Sequence, residues 1–263
     1  MSLAKRLHLF LRVLPYVIAL GVLKAAVHFA RLEFIPLDGL IPSLIAGAIF
    51  LIGFLLSQVL TDYREAEHMP AEIRTALEAI HDDVLNFSRV VAGVDMQGLR
   101  AALTAIVEAF EGGVGLSGHH SDLSAAVARV DDLSPIFNRL EQLELSERYV
   151  VRLKDAQDVL RKCLFRIHYI QRMEFVPSVH VLVQTLVLAS LFVLLFLKTA
   201  GAWESMLILV FVGYMFIYSL LLIGHLDQPF REGEGTVDDV SLFQLRDFLR
   251  KIDAERAEAE AHP

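Results

Sequence analysis

Residues 39–61, GLIPSLIAGAIFLIGFLLSQVLT, form an uncharged run that ends at the cluster Asp62-Tyr63-Arg64-Glu65. At about 1.5 Å rise per helical residue, the run is long enough to cross a bilayer. Wound at roughly 100° per residue, it has two unlike sides. Ser43, Ala46, Gly47, Phe50, Gly53, Phe54, Ser57 and Thr61 share one arc, and Leu44, Ile45, Ile49, Leu51, Ile52, Leu55, Leu56 and Val59 share the other. The second side suits lipid. The first, built of small residues, hydroxyls and two phenylalanines, must meet something else, and this makes the segment the candidate working part of the chain. Two readings stand open. Small residues on a membrane helix serve close helix packing, for which Ser43 and Gly47 are well spaced. Two phenylalanines one turn apart, above Ser57 and Thr61, suit a narrow apolar constriction that opens into a more polar vestibule. Judged on this helix alone, packing is slightly the better reading.

Composition supports a membrane protein. Of 263 residues, 55% are hydrophobic, and the mean hydropathy is +0.50, too apolar for an ordinary soluble domain. The formal charge of −8 gives no reason to expect nucleic-acid binding. A single cysteine, Cys163, excludes an intrachain disulfide and fits a reducing compartment around the polar part of the chain. The start, MSLAKRLHLFLRVLP, is basic and then apolar like a signal sequence, but the apolar stretch runs past Ala30 with no cleavage site. It is read as a retained first span.

Four spans are expected, at 9–30, 39–61, 176–197 and 205–224. Short loops at 31–38 and 198–204 make spans one and two, and spans three and four, antiparallel hairpins. Lys5, Arg6 and Arg12 precede the first span, and Arg64, Arg166 and Arg172 flank the central block. The positive-inside rule then places both termini and that block in the cytoplasm. The expected organisation is a hairpin over 1–61, a cytosolic helical domain over 62–175, a second hairpin over 176–224, and an acidic segment with an amphipathic tail helix over 225–263. Within the central block, helices are expected at 71–92 and 95–111, with GGVGLSG at 112–118 as a breaker. Ser121 is the expected N-cap of a further helix with Asp122 in its first turn. Pro135 marks a boundary or kink, and one amphipathic helix over 146–175 leads into span three. The tail helix is expected over 241–261. No segment alternates with period two for long enough to be a strand.

Catalytic motifs are absent: there is no GxSxG, HExxH, P-loop or dinucleotide fingerprint. His119-His120 with Asp122 reads as a solvated loop rather than a metal site, because adjacent histidines point apart. Lys24, His28 and Arg31 fall on one helical face at the outer end of span one. They form either a positive collar that gathers anions at an entrance or side chains snorkelling to headgroups. The two readings weigh equally for Lys24, and snorkelling is preferred for Arg31. The acidic stretch Asp227–Asp239 lacks EF-hand spacing and reads as a solvated turn. His180 and Gln184, one turn apart on span three, are the sole hint of a membrane enzyme.

Two stretches carry a family resemblance. FLIGFLLSQVLTDYREAE, Phe50 to Glu67, resembles the end of the second span in bestrophins, with Gly53-Phe54 and Glu65-Ala66 in the places of that family's Gly-Phe and Glu-Ala pairs. LDQPFREGEGTVDD, Leu226 to Asp239, resembles the acidic Asp-Pro-Phe segment that follows the last span of bestrophins. The order hairpin, helical insert, hairpin is similar too. Leu55, Leu56 and Ser57 replace the arginine and asparagines that follow Gly-Phe in the family. Tyr63 and Arg64 replace its paired tryptophans, and Gln228 replaces the acid before Pro-Phe. These departures mark a divergent relative.

The resemblance implies a ring of five subunits around one axial pore lined by span two. It also implies an apolar neck at i, i+4 and i+8 ending on the phenylalanine of Gly-Phe, which falls here on Ala46, Phe50 and Phe54. The helical arc places the same three residues together. The reading is therefore an all-α, four-span, bestrophin-like protein of a bacterial inner membrane, in contact with lipid and self-associating. It passes small ions, anions ahead of cations, past the neck and a lining of Ser43, Gly47, Ser57 and Thr61. Lys24, His28 and Arg31 form the outer basic collar. No cofactor or metal is expected. The competing reading is a non-conducting scaffold whose cytosolic helices bind a partner protein, with Phe50 and Phe54 buried inside one subunit.

Overall fold

A computed structural model describes residues 8–36, 38–115, 122–172, 177–199, 201–227, 229–230 and 240–261. Among them are nine helices: α1 His8–Phe29, α2 Leu40–Ser88, α3 Met96–Gly115, α4 Ser124–Asp131, α5 Leu133–Gln142, α6 Glu147–Arg172, α7 Pro177–Leu195, α8 Ala202–Leu226 and α9 Phe243–Ala261. A single parallel bridge pairs β1 (Ile35–Pro36) with β2 (Leu197–Lys198). The fold class is all-α, as read from the sequence. Four stretches are long and apolar enough to cross a membrane: Leu9–Phe29, part of α2, Ser178–Leu195 and Trp203–Leu226. The chain divides into two compact units. The first holds α1, β1, α2 as far as Tyr63, α7, β2 and α8, and the second holds α2 from Arg64, α3 to α6 and α9.

In the first unit, α8 is apolar on every side, as a membrane span is: Leu207 and Phe211 are exposed on one side, and another side is buried. Its Phe216 and Ile223 pack with Val183 and Val187 of α7 and with Ala48, Ile52, Leu55 and Val59 of α2. Gly213 allows close approach on another side. A Cβ there would lie 3.1 Å from a methyl of Leu20 in α1 and 3.6 Å from one of Leu191 in α7, so the missing side chain sets the packing distance. This core corrects one expectation. The face of α2 read as lipid-facing is turned into the chain's own core, with Ile52, Leu55 and Val59 buried and Ile49 alone of that set exposed. Lipid tails and protein interiors are equally apolar, so hydropathy cannot tell them apart.

The second unit has its own core, with Leu77, Ile80, Leu103, Phe110, Phe137, Leu160, Leu245 and Phe248 at its centre. Burying each such side chain contributes about 1.5–3 kcal/mol. Three sequence expectations change here. The helix expected to start at 71 is part of α2, which runs through the buried Pro70 and ends at Ser88. The expected breaker does not stop α3, which continues through Gly112 and Gly113 to Gly115. Gly113 is needed for another reason: a Cβ there would lie 2.5 Å from the carbonyl oxygen of Asp122. Ser121 lies outside the described residues. The next helix begins at Ser124, whose N–H donates to the Asp122 carboxylate at 2.9 Å. At Asp132, the break between α4 and α5 three residues before Pro135, the buried Gln157 of α6 ties the two helices together. Its Nε2 donates to Val130 O at 2.7 Å and to Ser134 Oγ at 3.1 Å.

Candidate functional site

The first half of α2 presents an outward stripe. Ser43, Ala46, Phe50, Gly53, Phe54, Ser57 and Thr61 are all exposed, and Gly47 is half-buried. Phe50 is 72% exposed and Phe54 55%, comparable to Phe192 of α7 and Phe211 of α8. The glycines of the stripe serve no packing within the chain. A Cβ added at Gly47 or Gly53 would meet no atom within 4 Å. Gly213, by contrast, sits tight against two neighbouring helices. Intrachain close packing, which the small residues alone favoured, is therefore not what the stripe does. Two hydroxyls on it are held by their own helix. Ser43 Oγ donates to Gly39 O and Thr61 Oγ1 donates to Ser57 O, both at 2.9 Å. The expected neck residues Ala46, Phe50 and Phe54 and the expected lining residues Ser43, Gly47, Ser57 and Thr61 thus lie on one helix flank, opposite the face that builds the core.

One end of the first unit is organised around Lys24. The expectation of an open basic collar is corrected there, because Lys24 is only 2% exposed. Its ammonium pairs with Glu33 Oε1 at 2.8 Å and donates to Leu195 O at 3.1 Å and Leu197 O at 2.7 Å. The Leu195 carbonyl at the end of α7 has no continuing helix to supply a donor, and the buried cation satisfies it together with the Leu197 carbonyl of β2. Snorkelling is excluded by the same contacts. His28 Nδ1 lies 3.1 Å from the other Glu33 oxygen. Burial works to raise the Glu33 carboxyl, yet the bonds from Lys24 and His28 outweigh it and hold the group below its ordinary value.

Arg31 is exposed and has a structural role of its own. It takes φ 54° just past the end of α1. The Arg31 N–H donates to His28 O and the Leu32 N–H to Val27 O, which completes a Schellman turn with arginine in the place glycine usually holds. Glu33, which decides the fate of Lys24, escapes a reading by helical faces because it lies beyond the end of the helix. An acidic residue, one of two with Asp38 in the short interspan loop, was its one signal.

In the second unit, Glu65 and Ala66 have separate duties. Glu65 accepts two bonds from Arg166 of α6, from Nε at 2.7 Å and from Nη2 at 2.6 Å. This is the paired geometry that suits a guanidinium and a carboxylate. Ala66 is fully buried in the core, where a larger side chain has no room. Phe230 joins the same core, and Val240 N–H donates to Pro229 O at 2.9 Å.

Solved structures match this arrangement across nearly the whole chain. A bacterial bestrophin homolog from Klebsiella pneumoniae matches with a TM-score of 0.77 at 15% identity, over 92% of this chain and 96% of that one. The fold is that of bestrophins. A variant of the Klebsiella protein with an aspartate-to-alanine substitution matches at 0.76 and 14% identity, over 92% and 97% of the two chains. A further structure, described as a membrane protein, matches at 0.76 and 13%, over 91% and 97%. No protein-family model and no curated protein matches the chain. The bestrophin fold gives the quoted sequence pairs their setting. Gly53-Phe54 lies on the outward stripe, Glu65-Ala66 joins α2 to its neighbours in the second unit, and Pro229-Phe230 anchors the segment after α8.

Some candidates gain nothing from the structure. His119 and His120, most of the acidic stretch from Asp227 to Asp239, and Gln228 lie outside the described residues. Among the described residues, no group of three or more His, Cys, Asp or Glu side chains could hold a metal ion.

Proposed function

We propose that this chain assembles into a ring, of five copies by the bestrophin resemblance, and passes small ions along an axis lined by the outward stripe of α2. Ala46, Phe50 and Phe54 form the neck, which closes by steric contact or by dewetting. Ser43, Gly47, Ser57 and Thr61 line the wider parts of the path. One observation carries the reading: Phe50 and Phe54 stand exposed on α2 while the opposite face of the same helix is buried. An isolated four-span unit has no evident space for a conduit between its own helices, whereas cyclic symmetry builds one from a single flank per copy. The host is a bacterial inner membrane, and the termini and second unit lie in the cytoplasm, as the basic residues at the span ends favour.

Anion preference leaned on the basic collar. With Lys24 neutralised by Glu33, that support is reduced to Arg31 and His28, so the proposal concerns conduction itself rather than the sign of the ion. The test is the pair Phe50→Ala and Phe54→Ala together, in the reconstituted oligomer. Widening the neck raises the current. An unchanged current from an intact ring removes these residues from the gate. Reversal potentials across a salt gradient read the sign of the ion directly.

A further inference from the structure

Among the described residues of the second unit, His81 is the fully buried ionisable side chain at which three helices meet, and both of its ring nitrogens face carboxylates. Nδ1 lies 3.0 Å from Asp82 Oδ1 on its own helix. Nε2 lies 3.1 Å from Glu255 Oε2 of α9, at an angle too oblique for a good hydrogen bond. The ring itself is 0% exposed. The charges around it come from every element packed there. Arg100 of α3 reaches the same Glu255 oxygen at 3.4 Å, and Lys251 of α9 reaches Asp82 Oδ1 at 3.4 Å. Arg152 of α6 holds the adjacent Asp83 at 2.9 Å.

A neutral imidazole carries one N–H and one bare lone pair. Between two carboxylates, one of its nitrogens must then set a lone pair against an anionic oxygen at about 3 Å. The imidazolium donates to Asp82 and turns its second N–H and its charge toward Glu255. We propose that α9 is docked on the second unit by a proton-dependent latch, in which charged His81 bridges Asp82 of α2 to Glu255 of α9. The apolar contacts of Leu245, Phe248 and Ile252 hold the helix in register. The latch adds a term that depends on one proton, and histidine is the side chain whose charge changes between pH 5 and 8. Docking is strongest where the ring is charged and weakens as pH rises, because the proton leaves and Glu255 then faces a lone pair. Arg100 remains on Glu255 in both states, so the helix is loosened rather than stripped of every contact.

The experiment is amide hydrogen exchange on the full-length, solubilised assembly at pH 6 and pH 8, with intrinsic exchange rates divided out. Protection of α9 should fall several-fold at the higher pH. The fall should disappear in His81→Gln and shrink in Glu255→Gln, whose site is at the rim and tolerates an amide. Protection of α3 should stay level throughout. A wild-type profile that is flat between the two values overturns the latch. So does a fall of full size in either variant, which would assign the pH effect to other groups.

Discussion

The ammonium of Lys24 lies 2.8 Å from the carboxylate of Glu33, a residue past the end of the helix that carries the lysine. Two facing backbone carbonyls complete its shell. A cation in this position pins the end of α1 to the end of α7, and the carboxylate keeps that arrangement neutral.

Removing one member of the pair should be costly. Glu33→Gln leaves a buried ammonium without its counter-charge, and losses of about 3–5 kcal/mol follow when a buried pair is broken from one side. Lys24→Met with Glu33→Gln should recover part of that loss. Thermal unfolding of the wild type, Lys24→Met, Glu33→Gln and the double variant in one detergent gives the coupling, and a double-variant loss equal to the sum of the two single losses would show that the pair does not act as a unit.

The same pair sets an acid limit. The folded Glu33 carboxyl lies below its ordinary value of 4.5, so the folded state holds its charge more firmly than the unfolded chain. Its contribution is present in full above that ordinary value and is lost as pH falls through the folded one. Unfolding midpoints measured from pH 6 to pH 3 should drop more steeply for the wild type than for Lys24→Met with Glu33→Gln.

Glycine at 47 offers a test that separates the chain from its assembly. A side chain there meets no atom of the same chain, and leaving glycine favours the helix by about 0.5–1 kcal/mol. Gly47→Leu should therefore leave the fold as stable as before or slightly more so. In the ring it crowds the axis, and the current should fall. Full current through the variant would place this flank away from the path.

Glu144 has φ 62°, at the end of α5, where Leu145 N–H donates to Leu140 O. An L side chain in this left-handed position costs about 1–2 kcal/mol. Its side chain is exposed, so Glu144→Gly should raise the unfolding midpoint of the second unit, with a gain near 1 kcal/mol.

Cys163 should resist labelling. Burial pushes its thiol up to about 12, helped by the bond to Glu72. The thiolate is the reactive form. A maleimide or disulfide reagent at pH 8 should react slowly with the native protein and at once after denaturation. Rapid labelling of the folded protein would contradict this placement.

The four apolar stretches were legible because length and the lack of charge suffice to find them. The helical insert was legible from its 3.6-residue period. The run of α2 through Pro70 was not, since proline normally ends a helix and the charged cluster before it looked like a boundary. The stripe of α2 could be drawn from residue angles alone, and its exposure agrees with that drawing. The opposite face misled, because Ile52, Leu55 and Val59 look the same to lipid as to α7 and α8. Lys24 misled for a different reason. Its partners, Glu33, Leu195 and Leu197, are brought to it by the turn after α1 and by the far end of α7, and two of the three contribute backbone oxygens that no residue type announces.

The hydroxyls of Ser43 and Thr61 have already given their protons to carbonyls four residues back, Gly39 just before α2 and Ser57 within it. What each turns outward is an oxygen with lone pairs alone. On the proposed path, a chloride passing these two positions would find no donor in them, whereas a water molecule or a sodium ion would find a ready acceptor.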